Sequence, residues 1–493
     1  MIELVLFGTF VVCLFVGLPI AMSMGLSAFA AILFTGGVKA LSPASSILYA
    51  GMSSETLLAI PFFILAGVVM ELTGISRRLI EFADACFGHL KNGIALTAIL
   101  TALLFSSISG SGPATVAAIG GILIPALIKH GYSKRHSASL VATSGELGII
   151  LPPSIAYIVF AVVAADYASA SGDRVTIGRL FMAGVVPGII LVVVLYVIAV
   201  FLPRETAVAT GNAAAHLSKV MGTNKREKQR TITAVGGVAR TADNTGLITI
   251  DEVTPVNAEG GGGLGFRAER APANVVFRAF LAAVPGLLVP VIILGGIYGG
   301  IFTPTESAAV ASIYAFVVGL FVTRDLKLKE TFKIFTTAGI LSGRIMLIIA
   351  AATLFAYVIT RNQIARNVAD WMLNLTDSAV VIILIINLAL LIAGMFLDAI
   401  SAFYLFIPLF VPVLLELGMD LTSIGVMMTM NLAIGLITPP VGIDLFVAAG
   451  IAKISFGEAA RGILPFVISG IGVLMLVTFI PQISNWLPDL LGL

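Results

Sequence analysis

Residues 106–153 read SSISGSGPATVAAIGGILIPALIKHGYSKRHSASLVATSGELGIILPP. Hydroxyls, glycines and prolines interrupt runs that are otherwise apolar. In hydrocarbon a broken helix leaves amides and carbonyls without partners, which is tolerated only where that backbone is buried in protein or lines a polar cavity. The stretch is therefore read as surrounding a site.

The pattern occurs twice. Pro125, Gly131, Gly148, Pro152 and Pro153 fall on Pro412, Gly418, Gly435, Pro439 and Pro440, each displaced by 287 residues (412 minus 125). Proline occupies 21 of 493 positions, so three proline coincidences in one register point to a duplication. Further on, Gly184 pairs with Gly462 and Pro187 with Pro465, a displacement of 278 (462 minus 184). The first copy thus carries nine extra residues (287 minus 278), expected around Ser171 to Arg174, where a surface loop absorbs length easily. Repeats with interrupted apolar segments at matching positions are the pattern of secondary transporters, whose site lies near the bilayer midplane where the repeats meet.

Composition agrees. The chain is 59% hydrophobic and 11% charged, with a mean hydropathy of +1.09, whereas soluble domains carry about 25% charged residues. This is the composition of an all-α polytopic membrane protein. A net charge of +2 with no concentrated basic patch argues against nucleic acid as a partner. Cys13 and Cys86 form neither a disulfide framework nor a metal pattern. The first apolar run lacks a basic leader and a small-residue cleavage site, and is read as a retained span.

Three regions follow. Residues 1–202 form the first membrane repeat and 278–493 the second. Between them, 203–277 contains NKREKQR, TADNTG and four consecutive glycines, with no segment long enough to span. It is expected to be a flexible insertion, cytoplasmic by the bias of such loops toward Lys and Arg. In the first half, Ser106 to Pro113 is expected to form the polar tip of a re-entrant hairpin. The run from Leu140 to Val163 is expected to be two half-helices interrupted at Gly145-Glu146 and Pro152-Pro153. In the second half, TRDLKLKETFK reads as a basic loop before a span from Ile345 to Ile359. The two basic loops of the second half lie on one side, whereas the first half opens without basic residues, which fits an inverted second copy.

Within these breaks, Ser106, Ser107, Ser109 and Ser111 with Gly110, Gly112, Pro113 and Thr115 offer more hydroxyls and exposed carbonyls than helix packing needs, and suit a hard cation of the sodium type. Asp398 occupies the second-copy position of Ser111. It is either a helix N-cap or, as its depth suggests, a charge that neutralises a bound cation, with Ser401 beside it. Glu146 and Asp444 flank the breaks and fit a cap or loop ion pair as well as a ligand. Ser154 and Thr438 sit at the breaks themselves. There, a half-helix N-terminus favours an anionic group and free carbonyls favour sodium. No ATP-binding motif is present, and the four histidines lie near edges or loops, leaving no intramembrane acid-base pair.

At SISGSGPATVAAIGGILIP, GELGIILPPS, GGIFTPTESAAVAS and NLAIGLITPPVGIDLFV the chain resembles the large membrane subunit of the tripartite ATP-independent periplasmic (TRAP) transporters, over both halves. The resemblance implies two inverted repeats, a scaffold and a mobile transport domain moving as an elevator, and coupling to a sodium gradient with no other cofactor. It also implies a bacterial inner-membrane location and two partners, a small four-helix membrane subunit and a periplasmic solute-binding protein that delivers an organic acid such as a C4-dicarboxylate or sialic acid. Matched by motif, sodium would be held by Ser107, Ser109, Thr115 and Ser154, and by Asp398, Gly435 and Thr438. The substrate would lie against Ser111, Gly112, Gly148, Pro153, Ser401 and Pro440. The alternatives are a stand-alone ion-coupled carboxylate carrier or exchanger and, from another class, an intramembrane hydrolase; the chain is not expected to be an enzyme.

Overall fold

Broken apolar runs become short helices here. The computed structural model describes residues 1–90, 92–171, 175–203 and 270–493, and these hold twenty α-helices and no strand. The first half contains α1 (Ile2–Phe15), α2 (Ile20–Gly36), α3 (Ala44–Met52), α4 (Ala59–Leu72), α5 (Ile75–Phe87), α6 (Gly93–Ser109), α7 (Gly112–Lys129), α8 (Lys134–Ile150), α9 (Ile155–Ser171) and α10 (Ile177–Phe201). The second contains α11 (Ala273–Tyr298), α12 (Pro304–Val317), α13 (Leu328–Arg361), α14 (Ile364–Leu375), α15 (Ala379–Phe396), α16 (Ala399–Glu416), α17 (Leu421–Gly435), α18 (Ile443–Ala452), α19 (Phe456–Phe479) and α20 (Gln482–Leu490). Among the described residues nine helices are long and apolar enough to cross a bilayer, and α8 with α9 makes a further path bent by 42°.

The duplication reappears helix by helix. α7 and α16 are displaced by 287 residues at both ends (399 minus 112, 416 minus 129), and amphipathic α5 matches α14. The extra length of the first copy is not mainly a loop. α9 has 17 residues against 10 in α18, so most of the insertion lengthens a helix, as an alanine-rich segment favours.

Other expectations shift in detail. α8 runs unbroken through Gly145-Glu146; a lone glycine costs a helix only about 1 kcal/mol, and the packed surroundings override that. The break comes at Pro152-Pro153, where the second proline removes another donor and clashes with the preceding turn. The serines of the hairpin are helical as far as Ser109, leaving Gly110 and Ser111 as the turn, with Gly110 left-handed at φ +62°. The basic segment before the second-half span is partly helical as well, since α13 begins at Leu328, and α11 begins at Ala273, inside the stretch assigned to the insertion. Residues 204–269 of that insertion lie outside the described residues.

α8 is buried from His136 to Ile150 and α17 along its whole length, and around them pack α6, α10, α18 and α19. In lipid, close helix contact depends on small residues, and the two copies use the same position for it. A Cβ on Gly148 of α8 would stand 2.8 Å from the Ser106 Cβ on α6, and one on Gly435 of α17 would stand 2.5 Å from the Gly394 Cα on α15. α13, the longest helix, packs against α2, α3 and α4 on one side and α16 on the other. It therefore links the outer helices to the second hairpin.

Candidate functional site

Both hairpin turns, and the helix ends flanking both breaks, line one cavity of about 250 Å³. Gly110, Ser111 and Gly112 come from the first turn, Asp398, Ala399 and Ile400 from the second. Ile149 and Ile155 flank the first break, Leu436 and Ile443 the second, and Arg344 enters from α13. Gly112, Ile155, Ala399 and Ile443 are each the first residue of a helix, so four helix N-termini converge on one space. Each such terminus carries roughly half a positive charge and free amide donors, so the arrangement suits an anion. Leu436 and Ile149, at helix C-terminal ends, line the same cavity, and their carbonyls accept from the Asp444 amide and the Ser154 hydroxyl.

The first turn is held by hydroxyls. Ser109 Oγ donates to the Ser111 carbonyl at 3.1 Å and Thr115 Oγ1 donates to the same oxygen at 2.8 Å, while the two hydroxyls lie 2.8 Å apart. Three oxygens within this spacing are a donor set of the type hard cations take. The turn also touches the first break: a Cβ on Gly110 would lie 3.5 Å from both the Pro153 carbonyl oxygen and the Ile155 amide nitrogen. Ser154 in that break is buried and donates to the Ile149 carbonyl at 2.5 Å. The side chain of Ser107 lies outside the described residues.

The second turn is held by a carboxylate. Asp398 caps α16, its Oδ2 accepting from the amides of Ile400 at 3.1 Å and Ser401 at 3.3 Å, and its Oδ1 accepting from Ser401 Oγ at 2.5 Å. The capping role set against the counter-charge role in the sequence is thus present, and Asp398 also faces the cavity. Thr438 Oγ1 donates to the Ile434 carbonyl at 2.6 Å, and the Thr438 amide donates to the Gly435 carbonyl at 2.9 Å, closing the end of α17.

A family model described as "Tripartite ATP-independent periplasmic transporter, DctM component" matches residues 7–483. The chain belongs to this family. It is 38% identical to the C4-dicarboxylate TRAP transporter large permease protein DctM of Pseudomonas aeruginosa, over 89% of this chain and 87% of that protein. It is 36% identical to the isethionate TRAP transporter permease protein DctMQ of Oleidesulfovibrio alaskensis, over 97% of this chain but 65% of that longer protein. In three dimensions it is similar to the YdaH transporter of Alcanivorax borkumensis, with a TM-score of 0.56 at 13% identity, over 95% of this chain and 97% of that one. The chain is accordingly a multi-span membrane transporter component and not an enzyme.

The remaining expectations for this family member divide cleanly. Ser111, Gly112 and Asp398 line the cavity, whereas Gly148, Pro153, Ser401 and Pro440 do not. Gly148 and Gly435 are helix-contact glycines, Ser401 is the buried partner of Asp398, and Pro440 is exposed. Sequence reading missed Arg344. It stands midway along α13, with no ion pair among the described residues, and the signal was one arginine in the apolar stretch GILSGRIMLII. An unpaired cation at membrane depth is a functional feature by default.

Proposed function

We propose that this chain is the large permease of a sodium-coupled importer for an organic acid, which a periplasmic binding protein delivers. The observation that carries the reading is the cavity where four helix N-termini and Arg344 meet, beside clusters of hydroxyl, carbonyl and carboxylate oxygens. The helix ends and the guanidinium recognise the acid group. The Ser109, Thr115 and Ser111 oxygens on one side, and Asp398 with the end of α17 on the other, hold sodium as the coupling ion. Oxygen-only donors fit that ion.

The two copies act as inverted repeats, with hairpins and broken helices carried as a mobile unit against the outer helices in an elevator motion, and α13 supplies a fixed wall. A separate small four-helix subunit completes the membrane part, in the bacterial inner membrane. The substrates in the relatives' names, a C4-dicarboxylate and the sulfonate isethionate, support a small organic anion, and the greater length of the isethionate permease supports a second membrane component.

Reconstitution in vesicles with the small subunit and binding protein tests this, using labelled succinate, sialic acid and isethionate as probes. Uptake of one of them that requires an inward sodium gradient and the binding protein is expected. Equal uptake by the chain alone would favour a stand-alone carrier instead.

A further inference from the structure

A buried pair of amides joins α15, the first arm of the second hairpin, to α17. Asn431 Nδ2 of α17 donates to Asn387 Oδ1 of α15 at 2.8 Å, and Asn387 Nδ2 donates to the Ile383 carbonyl of its own helix at 2.8 Å. The second bond fixes which way the Asn387 amide faces. Asn387 is 3% exposed and Asn431 not at all, and Asn431 Oδ1 has no hydrogen-bond partner among the described residues. Two apolar side chains of similar shape would avoid that leftover acceptor at little cost. Helix association alone accounts poorly for the amides, because Gly394 and Gly435 already bring the two backbones together.

Where the pair lies decides what it adds. On α15, Asn387 stands seven residues before Gly394 (394 minus 387), and Asp398 follows four residues after it (398 minus 394). On α17, Asn431 stands four residues before Gly435 (435 minus 431), and Thr438 three after it (438 minus 435). The glycine contact is a crossing point with the amides on one side, about 10 Å away along α15 and about 6 Å along α17. Asp398 and Thr438 lie beyond it on the other side. A directional bond at a second point fixes the angle between the helices, and that angle sets how far Asp398 stands from the end of α17.

The first copy has no such pair. Under the displacement of 287, Leu100 takes the place of Asn387 and Ser144 that of Asn431 (387 and 431, each minus 287), and Ser144 Oγ donates to the Leu140 carbonyl of its own helix at 2.7 Å. The oxygens of the first turn, from Ser109, Ser111 and Thr115, all belong to one hairpin and hold each other. Those of the second are divided, Asp398 on the hairpin and Gly435 with Thr438 on the broken helix. Only a site shared by two elements depends on the angle between them.

We propose that Asn387 and Asn431 are positioning residues for the cation site at Asp398, bracing α15 against α17 so that the carboxylate and the end of α17 stay within reach of one cation. Both residues belong to the unit of hairpins and broken helices, so the brace travels with that unit. The inference rests on the reading of Asp398 and the α17 end as a sodium site, and adds what keeps that site formed.

Sodium-dependent thermal unfolding of the chain, purified with its small subunit, tests the brace without transport, and uptake in vesicles with the binding protein is read beside it. The double variant N387L/N431L removes both amides and keeps their branching, so its unfolding temperature without sodium should match the wild type. N387A/N431A, which crowds nothing, carries the same expectation for sodium if the leucines are not accommodated. The half-saturating sodium concentration should rise about tenfold in both measurements, the low end of what loss of a supporting partner costs a metal site. Asn387→Leu and Asn431→Leu alone should each give the same rise, because the loss belongs to the pair. The KM for the acid at saturating sodium should stay at the wild-type value. An unchanged half-saturating sodium concentration in the double variants would overturn the proposal, as would an equal rise in the acid KM at saturating sodium, which marks general loosening. A wild type whose unfolding ignores sodium would remove the sodium reading and the brace together; a wild-type response that persists unaltered in the double variants would remove the brace alone.

Discussion

The two hairpin turns have the same backbone plan and opposite chemistry. At the first, Ser111 precedes α7 and its carbonyl gathers the hydroxyls of Ser109 and Thr115. At the second, Asp398 precedes α16 and its carboxylate gathers two amides and the hydroxyl of Ser401. One turn is neutral and offers oxygens; the other brings a full negative charge to the same cavity. Duplication thus preserved where a helix starts, while the residue at that start was free to divide the work between a neutral and a charged site.

The sharpest way to break this comparison is at the charged turn. Asp398→Ala should abolish sodium-driven uptake while costing about 1 kcal/mol of stability from the lost cap. Asp398→Asn separates the two roles. It retains the cap and should unfold like the wild type, yet also fail to transport; normal uptake in that variant would reduce Asp398 to a capping residue.

Opposite both turns, Arg344→Gln removes the cation that faces them. The KM for an acid substrate should rise roughly 10- to 100-fold, from the loss of a charge-assisted hydrogen bond of about 1.5–3 kcal/mol, with thermal unfolding unchanged. The glycine contacts sharpen the comparison through stability. Gly435→Ala puts a Cβ onto the Gly394 backbone and should cost about 1–3 kcal/mol in thermal unfolding. Gly148→Ala meets chiefly the Ser106 side chain and should cost less. The smallest effect is expected at the neutral turn. Thr115→Val loses one hydroxyl and should raise the half-saturating sodium concentration about fivefold, equivalent to roughly 1 kcal/mol.

Legibility from the sequence was uneven, for physical reasons. Breaks are written locally, because proline and glycine act on their own backbone, so the hairpins, the Pro-Pro interruptions and the register of 287 could be read directly. Where neighbours decide, the reading failed: Gly145-Glu146 stays helical because α8 is enclosed on every side, and most of the nine extra residues lengthen α9 instead of a loop. Arg344 was passed over because a single arginine in an apolar run has no pattern of its own. Its meaning lies in the cavity it faces.

The sequence by itself determined that this is a duplicated, membrane-spanning chain with interrupted helices and which residues stand at the interruptions, since composition and backbone breakers act over a few residues. Only the tertiary structure decided which of them meet: four helix N-termini with Arg344 around one cavity. Contacts between residues nearly three hundred positions apart depend on how helices pack, and local chemistry carries no record of that.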